Sequence, residues 1–192
     1  MNIPAGDIVA RKMVTGAENI GLALREAVRE SRNPEEARSG IMKIMYDVRN
    51  LGFERLGIVA GPISSDGPMH TAMNLYMLKR VAQHYTLIGK CGENPFPVVS
   101  AGDMLSWDYA HRLAEGKRLE FGINDIENMQ FLNSVVGSGY VTHLIMAPRW
   151  ESSAEARAMV SIAKQKGLDM IDETHKVELQ RILATSRRDL AH

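Results

Sequence analysis

A repeated order of segments constrains this chain most: a short apolar run, a turn-rich loop, then a stretch of helical period. Leu56-Gly-Ile-Val-Ala60 leads into Gly61-Pro-Ile-Ser-Ser-Asp-Gly-Pro68, and Tyr140 to Ala147 leads into Pro148-Arg-Trp-Glu-Ser-Ser153. The short apolar run Leu56 to Ala60 suits a strand buried on both faces, as in a parallel sheet, and Tyr140 to Ala147 is the clearest strand of the chain. Thr86 to Ile88, Phe96 to Val99 and Leu168 to Ile171 supply three more short strands. The helices between them are expected over Met69 to His84, with Met73, Tyr76, Met77 and Val81 inward, and from Ser100 or Asp103 through Trp107, Ala110 and Leu113 to Gly116. Asp125 is the expected N-cap of another, bearing Ile126, Met129, Leu132 and Val136, and a last one ends at Gly167. The expected fold is therefore α/β: a doubly wound, mainly parallel sheet of about five strands with helices on both faces.

Residues 1–52 differ in texture. Glu18 to Ser31 places Ile20, Leu24, Ala27 and Val28 on one stripe, and Asn33-Pro34 starts a second helix with Ile41, Ile44, Met45 and Val48 on its apolar face. The reading is an N-terminal helical extension over 1–52 and an α/β domain over 53–192, the extension offering an apolar face to a second copy of the chain.

Composition narrows the partners. With 23 basic and 23 acidic residues the net charge is zero, so the chain lacks the basic surface that nucleic acid requires. No window reaches about 18 consecutive apolar residues, which excludes a membrane-spanning helix, and the first residues lack a signal-peptide pattern; the expected compartment is the cytoplasm. Cys91 is the single cysteine and the 6 histidines are scattered without ligand spacing, so no disulfide, metal or cofactor is expected. A small molecule is the expected partner.

In an open parallel sheet, ligands bind beyond the carboxyl ends of the strands. Both loops named above leave strands there and feed helix N-termini, which attract anions. Gly61, Pro62, Ser64, Ser65, Asp66 and Gly67 line the first, with His70 beside it; Arg149, Trp150, Glu151, Ser152 and Ser153 line the second. Arg149 could clamp a phosphate while Trp150 stacks on a base or plugs the core. Turns and caps use the same residues, and Ser152-x-x-Glu155 fits a capping box. Asp103 reads either as a cap or as a contact to a ribose hydroxyl, and His143, inside a strand, as a packed histidine.

Ile58-Val-Ala-Gly-Pro62, a helix, Leu144-Ile-Met-Ala-Pro-Arg-Trp-Glu-Ser-Ser153 and a helix closing on Ala163-Lys-Gln-Lys-Gly167 together resemble the nucleoside 2-deoxyribosyltransferase superfamily, in its nucleotide N-glycosidase branch. The resemblance covers roughly residues 55–172. It implies a nucleotide or nucleoside ligand whose 5′ end is held by Gly61 to Gly67 and Ser153, with chemistry at an N-glycosidic bond. It also implies a homo-oligomer, because neighbouring subunits commonly complete each site. The family's nucleophilic glutamate, six residues beyond that serine, falls on Met159, its assisting aspartate on Asn128, and its first-strand aromatic on Ile58. Methionine cannot attack an anomeric carbon as a carboxylate does, and asparagine cannot act as an acid or base near neutral pH. Glu155, one turn before Met159, is the replacement carboxylate if chemistry survives, with Glu151 and Asp66 within reach. Three readings stay open: an enzyme acting on N-glycosyl bonds through Glu155, an inactive nucleotide-binding or sensing module that works as an oligomer, and a purely structural oligomer whose crevice is vestigial.

Overall fold

The computed structural model describes residues 20–32, 34–63, 68–88, 96–105 and 121–172, side chains at 34, 68–70, 72, 88 and 121–128 excepted. Four strands form one sheet: β1 (Gly57–Ala60), β2 (Val98–Ser100), β3 (His143–Met146) and β4 (Asp169–Asp172). Their order is β2-β1-β3-β4, and every pairing is parallel. Ile58 lies between Val99 and Leu144, while Ile145 pairs with Ile171. The first three strands are buried at every position, which explains why they read as mainly apolar runs, with Ser100 and His143 as the buried polar exceptions. β4 buries only Ile171.

The helices α1 (Ile20–Glu30), α2 (Pro34–Asn50), α3 (Pro68–Ile88), α4 (Ala101–Met104), α5 (Phe121–Gly137) and α6 (Ala154–Lys166) flank this sheet. Pro34 opens α2, where its missing N–H costs nothing, and Gly167 closes α6 at φ 66°. Ile20, Leu24 and Val28 of α1 and Ile41, Met45 and Val48 of α2 share one continuous core with Ile58, Leu144 and Ile145. Each such side chain contributes about 1.5–3 kcal/mol by leaving water. The apolar face that pointed to a second copy is thus covered within the chain.

Three expectations change. The sheet has four described strands rather than five, because Thr86 to Ile88 completes α3. The buried stripe Leu75, Leu78, Ala82, Tyr85 and Thr86 runs through that segment at helical spacing, whereas a three-residue apolar run carries no period of its own. The same stripe corrects the inner face of α3: Val81 is buried, but Met73, Tyr76 and Met77 are half-exposed. Asp125 is no N-cap, since α5 begins at Phe121. The expected helix past Leu105 lies outside the described residues. No described helix is long and apolar enough to cross a membrane.

Candidate functional site

The carboxyl ends of β1 and β3 adjoin, and Ala147 N–H donates to the Ala60 carbonyl at 2.8 Å, carrying the ladder past both strands. The described part of the first loop is packed. Gly61, Pro62 and Ile63 are buried, and Asn74 Nδ2 donates to the Ile63 carbonyl at 3.0 Å. A Cβ on Gly61 would meet Leu78 Cδ2 at 2.6 Å and Ala147 Cβ at 3.0 Å, so glycine is required by contact and opens no cradle there. Ser64, Ser65, Asp66 and Gly67 lie outside the described residues, as do Cys91 and the side chains of His70 and Asn128.

The second loop satisfies most of its own polar groups, the Trp150 indole N–H excepted. Arg149 adopts φ 68°, a left-handed conformation uncommon outside glycine, and starts a 3₁₀ turn over Trp150–Ser152. Ser152 Oγ donates to the Arg149 carbonyl at 2.7 Å. Ser153, not Ser152, caps α6: its Oγ accepts from Ala156 N–H at 3.2 Å and donates to Glu155 Oε2 at 2.7 Å. Glu155 is therefore engaged at the helix start, and the capping box expected from Ser152 does not form, because Ser153 is the cap and the residue three beyond it is Ala156. Trp150 packs against the core with its indole N–H enclosed and lacking a hydrogen-bond partner. Met159 is only 1% exposed and belongs to the core beneath the sheet. A residue at that position faces packing side chains, so the resemblance's nucleophile position has no solvent face. The structure brings Trp150, Ser153 and Glu155 together and sets Met159 apart.

His143 is buried at the opposite, amino edge of the sheet. Its Nδ1 is 2.7 Å from Thr142 Oγ1, and its Nε2 is 3.4 Å from Arg55 Nε and 3.5 Å from Asp169 Oδ2. Phe96 stacks against it, with the Arg55 guanidinium on that ring. This is a packed histidine that joins the starts of the strands.

Charge collects instead beyond the carboxyl end of β2. In a parallel ladder the two polar groups of one residue point to the same side, so Val98 turns its N–H and C=O away from β1. Thr86 Oγ1 meets both, accepting at 3.0 Å and donating at 3.2 Å. Ser100 N–H is met by Asp103 Oδ2 at 3.2 Å, and Ser100 Oγ donates to the same oxygen at 2.8 Å. These contacts close the sheet edge against further pairing. Asp103 is only 3% exposed. Its other oxygen, Oδ1, is 3.6 Å from Arg25 Nη1 on α1. Gly102 lets α4 lie against α3, where a Cβ would come within 2.4 Å of the Leu75 carbonyl oxygen.

Burial pushes the Asp103 carboxyl above the ordinary carboxylate range, while the Ser100 hydroxyl and the Arg25 and Lys79 charges pull it partly back. Burial and the nearby Arg25 charge push Lys79 down, with Asp103 opposing. A cavity of about 210 Å³ adjoins the group, lined by Gly21, Arg25, Ala82, Gln83, Thr86, Leu87, Val98 and Asp103. Perturbed ionisable groups beside a cavity mark a candidate site on physical grounds. The Ser-Ala-Gly-Asp turn after β2 announces Asp103 in the sequence. Arg25 and Lys79 were missed, since they arrive from distant helices with no local motif. Among the described residues no group of three His, Cys, Asp or Glu could hold a metal.

No family model matches the chain, and no curated protein and no solved structure matches it. These findings overturn its description as nucleoside 2-deoxyribosyltransferase-like, nucleotide-binding, N-glycosidase, transferase, hydrolase and homo-oligomeric. The segments that carried the resemblance are a close-packed glycine turn and a serine-capped helix start, devices that α/β chains build for their own backbone.

Proposed function

We propose that this chain is a small-molecule-binding α/β protein whose ligand carries hydroxyl groups and occupies the cavity along the outer edge of β2. One observation carries the reading: Asp103, almost fully buried, has one oxygen committed to Ser100 and the other turned toward Arg25 at the cavity wall. A carboxylate held this way accepts hydrogen bonds from ligand hydroxyls without rearranging, and charge-assisted bonds of this type are the strong ones. The size supports a compact ligand, because 210 Å³ equals the liquid volume of roughly seven waters. Among the described lining residues Asp103 is the single acid, beside no histidine or cysteine, which favours binding over turnover.

The strand order β2-β1-β3-β4, with α3 linking β1 to β2 and α5 lying between β2 and β3 in sequence, supports a doubly wound arrangement. The cavity then lies at the edge of the sheet, away from the adjoining ends of β1 and β3.

Thermal-shift titration with a panel of small polyols and hydroxy acids tests the reading. A bound ligand raises stability by RT ln(1 + [L]/Kd), about 2.7 kcal/mol at a hundredfold excess over Kd. Gln83→Phe, at an exposed lining position, fills the mouth and should abolish the shift while leaving the unliganded melting temperature nearly unchanged. A shift that survives Gln83→Phe would place the ligand elsewhere, and none across the panel would end the proposal.

A further inference from the structure

We infer that the β2-edge cavity selects an acid over the matching neutral polyol, taking a small hydroxycarboxylate whose carboxylate is held by Arg25 and whose hydroxyl is held by Asp103. This rests on the proposed binding reading and names the ligand class of that same site.

The first support is the local charge count. Arg25 and Lys79 bring two cations to one carboxylate, Asp103. Arg25 approaches Asp103 through Nη1 at 3.6 Å, and the rest of its fork engages no other described residue. A guanidinium offers five N–H donors in a planar fork that matches a carboxylate edge. Its side chain is 28% exposed and lines the cavity, so it is reachable by a ligand and partly desolvated. Lys79, on α3, adds a second charge without an ion pair among the described residues. An incoming monoanion matches the surplus, whereas a neutral polyol leaves it in place.

The second support is steric. Gly21 stands one helical turn before Arg25, in the first turn of α1. A Cβ there would lie 3.3 Å from Asp103 Oδ1 and within 3.6 Å of the other carboxyl oxygen. Glycine therefore leaves open the oxygen that Ser100 does not use, beside the guanidinium. A carboxylate and an adjacent hydroxyl on one ligand span two such groups.

The test uses the full chain and two matched pairs, glycerol with glycerate and erythritol with erythronate, followed by amide chemical-shift titration. Acid should bind about tenfold or more tightly than its neutral partner, and this preference should shrink as salt rises. Arg25→Gln should collapse the acid-to-neutral ratio, and Arg25→Lys should retain part of it. Lys79→Met, at a half-exposed position, should lower the ratio more modestly and serves if Arg25→Gln fails to fold. Gly21→Ala should weaken both members of each pair. Equal binding of acid and polyol in the unaltered chain would overturn the selection and leave the binding reading intact. Binding of neither would end both.

Discussion

The two carboxyl-end regions of this sheet differ in how their polar groups are used. At β1 and β3, the described loop residues mostly satisfy one another, the Trp150 indole N–H excepted: Ser153 serves Ala156 and Glu155, Ser152 serves Arg149, and Gly61 is pressed between Leu78 and Ala147. At β2, side chains from α1, α3 and α4 converge on a cavity, and cationic donors remain after the backbone has been served. The first region is rich in glycine, proline and serine, and looks functional in sequence for that reason. The second is marked in sequence by a single aspartate. Local motif density reports how a loop closes, whereas a binding site needs polar capacity left over once the loop has closed.

The largest expected effect breaks the contrast if it fails. Met159→Glu restores a carboxylate at the position where the resemblance expects a nucleophile. In this structure it puts an unpartnered charge into the core, and should cost about 3–5 kcal/mol in denaturant unfolding. A variant as stable as the parent would mean that position 159 reaches solvent and that the β1/β3 end is a working crevice. Thr86→Val comes next, on the other side of the comparison. The isostere keeps the volume but strips Val98 N–H and C=O of their partner, so about 1–3 kcal/mol should be lost. Little loss would mean water replaces the hydroxyl and the β2 edge is wetter than its burial implies.

The same contrast explains what was legible in the sequence. β1, β2 and β3 could be read because burial on both faces leaves a mainly apolar run, interrupted only at Ser100 and His143. The Pro34 start of α2 and the Gly167 stop of α6 were legible because each is a backbone requirement carried by one residue. Thr86 was misread as part of a strand because a short run of threonine, leucine and isoleucine carries β propensity, while the helical stripe beginning near Leu75 overrides it. Asp103 was legible as a polar residue just past a strand. Its meaning depends on Arg25, 78 positions earlier, and on Lys79, which no spacing rule connects to it.

A smaller effect separates the two ends cleanly. Ser153→Ala removes the α6 cap and should cost about 1 kcal/mol, the usual value of an N-cap hydroxyl. Because Ser153 lies past β3 and Asp103 past β2, with β1 between them, the two ends are about 10 Å apart, and binding at the β2 cavity should be unchanged. Weakened binding in Ser153→Ala would join the two ends into one site.

The smallest net effect is expected from Asp103→Asn, and its sign depends on pH. Asparagine can still accept from Ser100 but presents an amide where Arg25 faced an oxygen, so gains and losses nearly cancel. The pH dependence does not cancel. The folded carboxyl titrates above its unfolded value, near 3.8, because desolvation outweighs Ser100, Arg25 and Lys79. A raised carboxyl pKa means the native state binds the proton more tightly than the unfolded chain does. Its contribution is fully present below the unfolded value and is lost as pH rises through the folded one. Asparagine does not titrate, so the melting temperature of Asp103→Asn minus that of the parent should climb as pH rises from the unfolded value through the raised folded one, and then level off. A difference that falls over that range would mean that Arg25 and Lys79 outweigh desolvation and hold Asp103 charged. The β2 end would then spend more of its cationic charge on Asp103, which narrows its contrast with the closed loops of β1 and β3.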